Sequence, residues 1–180
     1  MNALKIDNTI IEKLFATSEE QVLEAIQRIR TEGNELYLSP LIKCYQENNS
    51  GLIRKKITEL INDIKHPDAV PIIISEIKKT DSPEIRSLLL TACWSSGLPF
   101  EEYFEDFVDI VIESDYLSAF EALTVIDNFS RPIAKERIRK CKDRVASASI
   151  NETNHQKKTL FSELVVILKR MEEDAEEPQD

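Results

Sequence analysis

The residue types that most often carry chemistry are sparse and scattered in this chain. Its two histidines, His66 and His155, lie far apart, and neither has a second His or Cys at metal-ligand spacing. The three cysteines, Cys44, Cys93 and Cys141, are also widely separated and odd in number, which fits no disulfide framework. Cys141 lies among bases that could depress a thiol pKa. It also shares a stripe with Ile138 and Val145, which makes it a packed, inert side chain. No Gly-x-Ser-x-Gly, P-loop or Rossmann fingerprint occurs, and only three glycines are present. The sequence therefore shows no convergent catalytic set and calls for no metal or cofactor.

The carboxylates are the exception. Glu101, Glu105 and Asp109 recur at i, i+4 and i+8, which aligns them on one ridge of a helix. Like charges at that spacing repel, and no base lies nearby in sequence to offset them. They form either a solvated face or a docking surface for a partner with a basic surface. The charge pattern around them is polarised. Ser87–Ser130 holds nine acids and no Lys or Arg, whereas Arg131–Arg144 holds seven bases and two acids. The formal net charge of the chain is −10. Such a balance disfavours nucleic acid, whose phosphates most of the surface would repel. Only the face carrying Arg131, Lys135, Arg139 and Lys142, with Lys157, Lys158, Lys169 and Arg170, offers phosphate contacts.

These residues must be positioned by helices, because helical periodicity runs through nearly the whole chain. Stripes such as Val22, Ala25, Ile26, Ile29 and Ile53, Ile57, Leu60, Ile61 recur between short breaks. Ser18, Ser50 and Ser82 stand where helix caps belong, and Pro40, Pro71, Pro83 and Pro132 fall early in expected helices. Gly33 suits a left-handed position after a helix. Roughly ten helices with short connections result, and no segment alternates with period two. The fold class is all-α.

The helices also repeat. Pro40-Leu41-Ile42 and Pro71-Ile72-Ile73 are 31 positions apart, and Ile53-Arg54 and Ile85-Arg86 are 32 apart. A weaker third copy begins near Phe104, with Ser118 where the arginine stood. The segment Ala69–Arg86, with its early Pro71, the Asp81 and Pro83 of its turn, and the Ile85-Arg86 pair, resembles a HEAT repeat. The resemblance is good over 68–97, moderate over 36–65, and elsewhere rests on helix-pair spacing alone.

This resemblance implies a right-handed α-α superhelix, a solenoid of about five HEAT-like helix pairs whose second helices line a concave surface. It implies a structural ladder in which Arg54 and Arg86 are tied to neighbouring turns. Trp94 departs from the family's small residue. With Leu90 one turn earlier, it forms either an apolar patch on the concave face or core filling between repeats. The paired His-Glu motifs of HEAT-like metal hydroxylases are absent.

The expected organisation is one domain over 1–171 and a disordered acidic tail over 172–180, with six acids and no base. The longest uncharged stretch, Ser87–Phe100, has 14 residues, too few to cross a bilayer, and no signal peptide is visible. A reducing cytoplasm fits. The functional expectation is a non-catalytic protein-interaction or scaffold module, with Leu90, Trp94, Glu101, Glu105 and Asp109 contacting a protein partner. The alternatives are an enzyme or enzyme subunit of a HEAT-like family, lyase-like or acting in nucleic-acid-base repair, and a self-assembling protein whose acidic and basic helices meet between copies.

Overall fold

A computed structural model of the chain describes residues 5–175. Among them are ten α-helices, two single turns of 3₁₀-helix and no strand. The described residues divide into two compact units, one up to Leu98 and one from Pro99 on.

The first unit contains α1 (Asn8–Leu14), α2 (Glu19–Glu32), α3 (Leu38–Glu47), α4 (Gly51–Asn62), α5 (Ala69–Lys79) and α6 (Pro83–Ser96). Their starts follow from local chemistry. The first backbone N–H groups of a helix have no intrahelical acceptor, and a short polar side chain before the helix supplies one. Asp7 Oδ1 accepts from Thr9 N at 2.8 Å, Ser50 Oγ from Ile53 N at 3.4 Å, and Ser82 Oγ from Ile85 N at 3.4 Å. Pro83 occupies the first turn of α6, where its missing N–H costs nothing. Ser18 precedes α2 as expected but makes no side-chain cap bond.

Consecutive helices pack as pairs: α1 with α2, α3 with α4, α5 with α6. The second helices touch in succession, α2 against α4 and α4 against α6, and so do the first helices, α1 against α3 and α3 against α5. Each apolar stripe is therefore covered on two sides. Ile53, Ile57, Ile61, Ile73, Ile85 and Leu89 are all fully enclosed. Polar contacts between successive pairs keep the sequence period. Ser50 Oγ donates to Glu19 Oε2 31 residues away, Arg30 pairs with Asp63 33 residues on, and Lys65 Nζ donates to the Ser96 carbonyl 31 residues on.

Gly33 differs from expectation. Its φ is −76°, so the backbone is extended rather than left-handed. Glycine is required there for a different reason: a Cβ would lie 2.4 Å from the carbonyl oxygen of Ile29. The left-handed C-cap is Gly97, with φ of 70° at the end of α6.

The second unit contains a 3₁₀ turn (Glu101–Tyr103), α7 (Phe104–Glu113), α8 (Tyr116–Asp127), α9 (Lys135–Asn151) and α10 (His155–Asp174). Here α7 packs on α8 and α9 on α10, while α7 also meets α9 and α8 meets α10. Its core is aromatic. Phe107 lies edge-on to Phe100 and Phe129 at centroid distances of 6.1 and 5.9 Å, and Phe104 meets Phe129 at 6.4 Å. Ser118, the residue that breaks the Ile-Arg pattern, is wholly buried. Its hydroxyl donates to Asp115 Oδ2 at 2.8 Å, and Asp115 also caps α8.

Two boundaries move. Pro132 does not open α9, which begins three residues later, and Ile133 rather than Ala134 turns into the core. The helix α10 continues through Asp174, three residues into the segment expected as tail, and 176–180 lie outside the described residues.

Candidate partner-binding surfaces

The acidic ridge and the basic helix meet inside the second unit. Glu105 on α7 forms a two-pronged ion pair with Arg137 on α9, and Asp109, one turn further along α7, pairs with Arg144, two turns further along α9. Arg137 also donates to the Glu102 carbonyl at 3.0 Å, and its guanidinium lies 5.8 Å from the ring centre of Phe104. The hydrogen-bonded guanidinium holds the Glu105 carboxyl below the usual carboxylate range. Glu101 is buried in the 3₁₀ turn. Its Oε1 accepts from the backbone N–H groups of Ser130 and Arg131 at 3.2 and 3.1 Å, tying the α8–α9 loop to the start of α7.

The three carboxylates singled out in the sequence are thus brought together, but as an internal clamp between α7 and α9. Their partners, backbone N–H groups for Glu101 and guanidinium groups for Glu105 and Asp109, lie 29 to 35 residues downstream, and an i, i+4 analysis within one helix does not reach that far. More of the α9 bases are engaged in the same way. Arg139 and Lys142 both hold Glu172 of α10, at 2.7 and 2.6 Å, and Lys140 holds Glu136 at 2.8 Å.

Leu90 and Trp94 separate. Leu90 is fully buried in α6, while Trp94 is 39% exposed. One residue packs and the other reaches the surface, so they do not share an exposed patch. Arg54 and Arg86 have different partners, and neither is an aspartate of a neighbouring turn. Arg54 pairs with Glu84 at the start of α6 and lies 4.3 Å from the ring centre of Tyr45, whose hydroxyl donates to the same carboxylate at 3.1 Å. Arg86 donates to the Thr80 carbonyl at 2.6 Å, locking the turn that precedes its own helix.

The residues that sequence reasoning missed are on α8 and α10. Tyr116, Leu117 and Phe120 of α8 and Val166 of α10 are all exposed, Val166 by 66% and Phe120 by 45%. Phe120 and Val166 line a groove of about 570 Å³ that also includes Leu123, Ile167 and the Asp127–Arg170 ion pair at 2.7 Å. The Tyr116 and Phe120 rings stack, with centroids 6.4 Å apart. The signal was present in the sequence: α8 is apolar around most of its circumference, as expected of a helix with more apolar surface than its neighbours cover.

All three cysteines are buried; burial pushes the Cys44 and Cys141 thiols up to about 11 and raises Cys93 well above its ordinary value. Among the described residues no group of three or more His, Cys, Asp or Glu side chains is placed to hold a metal ion, and no helix is long and apolar enough to cross a membrane. No protein-family model matches the chain, and no curated protein matches it.

Proposed function

We propose that the chain is a non-catalytic protein-interaction module whose main recognition surface is the α8–α10 groove. The observation that carries this reading is the concentration of exposed apolar side chains on those two helices: Tyr116, Leu117, Phe120 and Val166. Large apolar groups grouped on a surface mark sites that are covered by a partner. Aromatic side chains that bury a large area with few rotatable bonds supply most of the energy in such contacts.

The HEAT-like reading supports the choice of helices. In each unit, first helices pack on first helices and second helices on second helices, and the polar contacts between successive pairs in the first unit recur at close to the sequence period. That is the packing expected of stacked repeats, in which the second helices form the recognition face. The expected role of Glu101, Glu105 and Asp109 in docking a basic partner loses its support, because their charge is met by α9 and by backbone donors. Phosphate binding by α9 and self-assembly through acidic and basic helices lose support for the same reason.

The test is affinity capture from the native cell with the wild type, Phe120→Asp/Val166→Asp, and Lys158→Ala as a surface control. Partners recovered by wild type and control should be lost from the double variant while its helical circular dichroism is unchanged. Recovery of the same partners by a folded double variant would show that recognition lies elsewhere.

A further inference from the structure

A second site lies in the first unit and does not depend on the α8–α10 reading. A cavity of about 510 Å³ opens where α2 ends and α3 begins, beside the C-terminal end of α4. That volume is within the range of small-molecule sites, ~300–1,000 Å³. Its floor is apolar, made by Leu38, Leu41, Leu60 and Ile64. One wall holds Glu35, whose side chain is only 9% exposed.

The surroundings of Glu35 are unusual for a carboxylate. Among the described residues it accepts no hydrogen bond, and the one basic side chain within 4.0 Å is the exposed His66, Nδ1 at 3.9 Å, beyond hydrogen-bond reach. The other bases at the rim are committed: Arg30 to Asp63 at 2.6 Å, and Lys65 to the Ser96 carbonyl at 2.8 Å. A carboxylate in a largely covered side chain that lacks protein donors leaves its acceptor capacity open to a ligand entering the cavity. Its position is nevertheless fixed. Asn34 caps the 3₁₀ turn that carries it, its Oδ1 accepting from Leu36 N at 3.0 Å while its Nδ2 donates to the Lys5 carbonyl at 3.2 Å. Gly33 keeps the chain close against Ile29 at the mouth.

We infer that this cavity binds a cation carried on an apolar stem, of the alkylammonium class, with Glu35 as the anchor. An ammonium brings three N–H donors to an acceptor that has none, and its stem covers the leucine floor. A neutral alkyl alcohol of equal length gains only the floor. An alkyl carboxylate meets Glu35 as a like charge. The ammonium could belong to a free amine or to the lysine of a peptide, and both share this chemistry.

The probes are n-hexylammonium, hexanol and hexanoate, titrated into the full chain with amide chemical shifts as readout. Hexylammonium should saturate and move the amides of 33–38 and 60–66, at least tenfold more tightly than hexanol or hexanoate. Glu35→Gln should weaken hexylammonium at least tenfold and leave hexanol unchanged. His66→Ala, a rim variant, should bind hexylammonium within twofold of wild type. A lysine-centred pentapeptide and its norleucine counterpart identify the source. Tighter binding by the lysine peptide than by hexylammonium indicates a partner side chain, and binding by hexylammonium alone indicates a free amine. Equal hexylammonium affinity in wild type and Glu35→Gln, or no preference over hexanol, would overturn the inference.

Discussion

The two units use the same helix-pair packing with different materials. In the first, the core is aliphatic, built mainly from isoleucine and leucine, and Tyr37 is its one buried aromatic among the described residues. Its successive pairs are joined by single polar contacts near helix ends, such as Arg30–Asp63 and Arg54–Glu84. In the second, Phe100, Phe104, Phe107 and Phe161 fill the core, Glu105 and Asp109 bind α7 to α9, and Glu101 in the turn before α7 holds the α8–α9 loop. Aliphatic stripes are interchangeable between repeats, and edge-on aromatic contacts are not. The second unit therefore depends on a few irreplaceable side chains, and the first on many similar ones.

The largest effect should come from removing the hub of the aromatic cluster. Phe107 touches two other rings and is fully enclosed, so Phe107→Ala should cost about 3–5 kcal/mol. Ile57→Val, in an equally enclosed position of the first unit, should cost only about 0.5–1.5 kcal/mol. Urea unfolding, with amide exchange assigning the loss to each unit, measures both. Comparable losses would erase the proposed contrast. Glu101→Ala comes next. It leaves the N–H groups of Ser130 and Arg131 without their acceptor, at ~1–3 kcal/mol for each donor left buried. Its signature is fast exchange of those two amides, with α8 still protected.

The helices were legible because their signals are local. Stripes such as Ile53–Ile57–Ile61 and caps such as Ser50 and Ser82 need only a few neighbouring residues and appear as read, whereas Ser18 makes no cap bond and Gly33 is extended. The roles of the acids were not legible, because Glu105 and Asp109 are explained by Arg137 and Arg144, which only tertiary packing brings alongside. Leu90 and Trp94 show the same limit. Four positions apart on α6, they should share a face, yet α6 is apolar on nearly every side, and which side stays open is decided by the helices around it. The cavity at Glu35 carries no sequence signature, since it arises where the ends of three helices converge.

Gly33 sharpens the comparison from the first unit's side. There the helix-end geometry leaves no room for a Cβ beside the Ile29 carbonyl, and backbone has to move to admit one. Gly33→Ala should cost about 1–2 kcal/mol, below the loss at Phe107. Heating curves with a helical signal check this. Substitution of Gly51, whose Cβ position is open, should cost far less.

The smallest and most conditional effect concerns the charges that join α9 to α10. Lys142 and Arg139 hydrogen-bond to Glu172 and hold its carboxyl at about 2, against an ordinary 4.5. A lowered folded-state pKa means that the unfolded chain takes up the proton first on acidification. The stabilisation is then complete above about pH 4.5 and falls away as pH drops toward about 2. Glu172→Gln should remove this pH dependence and leave neutral-pH stability nearly unchanged, because the pair lies at the surface and is screened. Amide exchange in the last turns of α10 between pH 5 and 2 is the readout. Wild type should loosen slightly with acid and with added salt, whereas the variant should respond to neither. Equal acid responses in the two proteins would place the acid-sensitive contact on the α7–α9 clamp, whose Glu105 is also held below its ordinary range by Arg137.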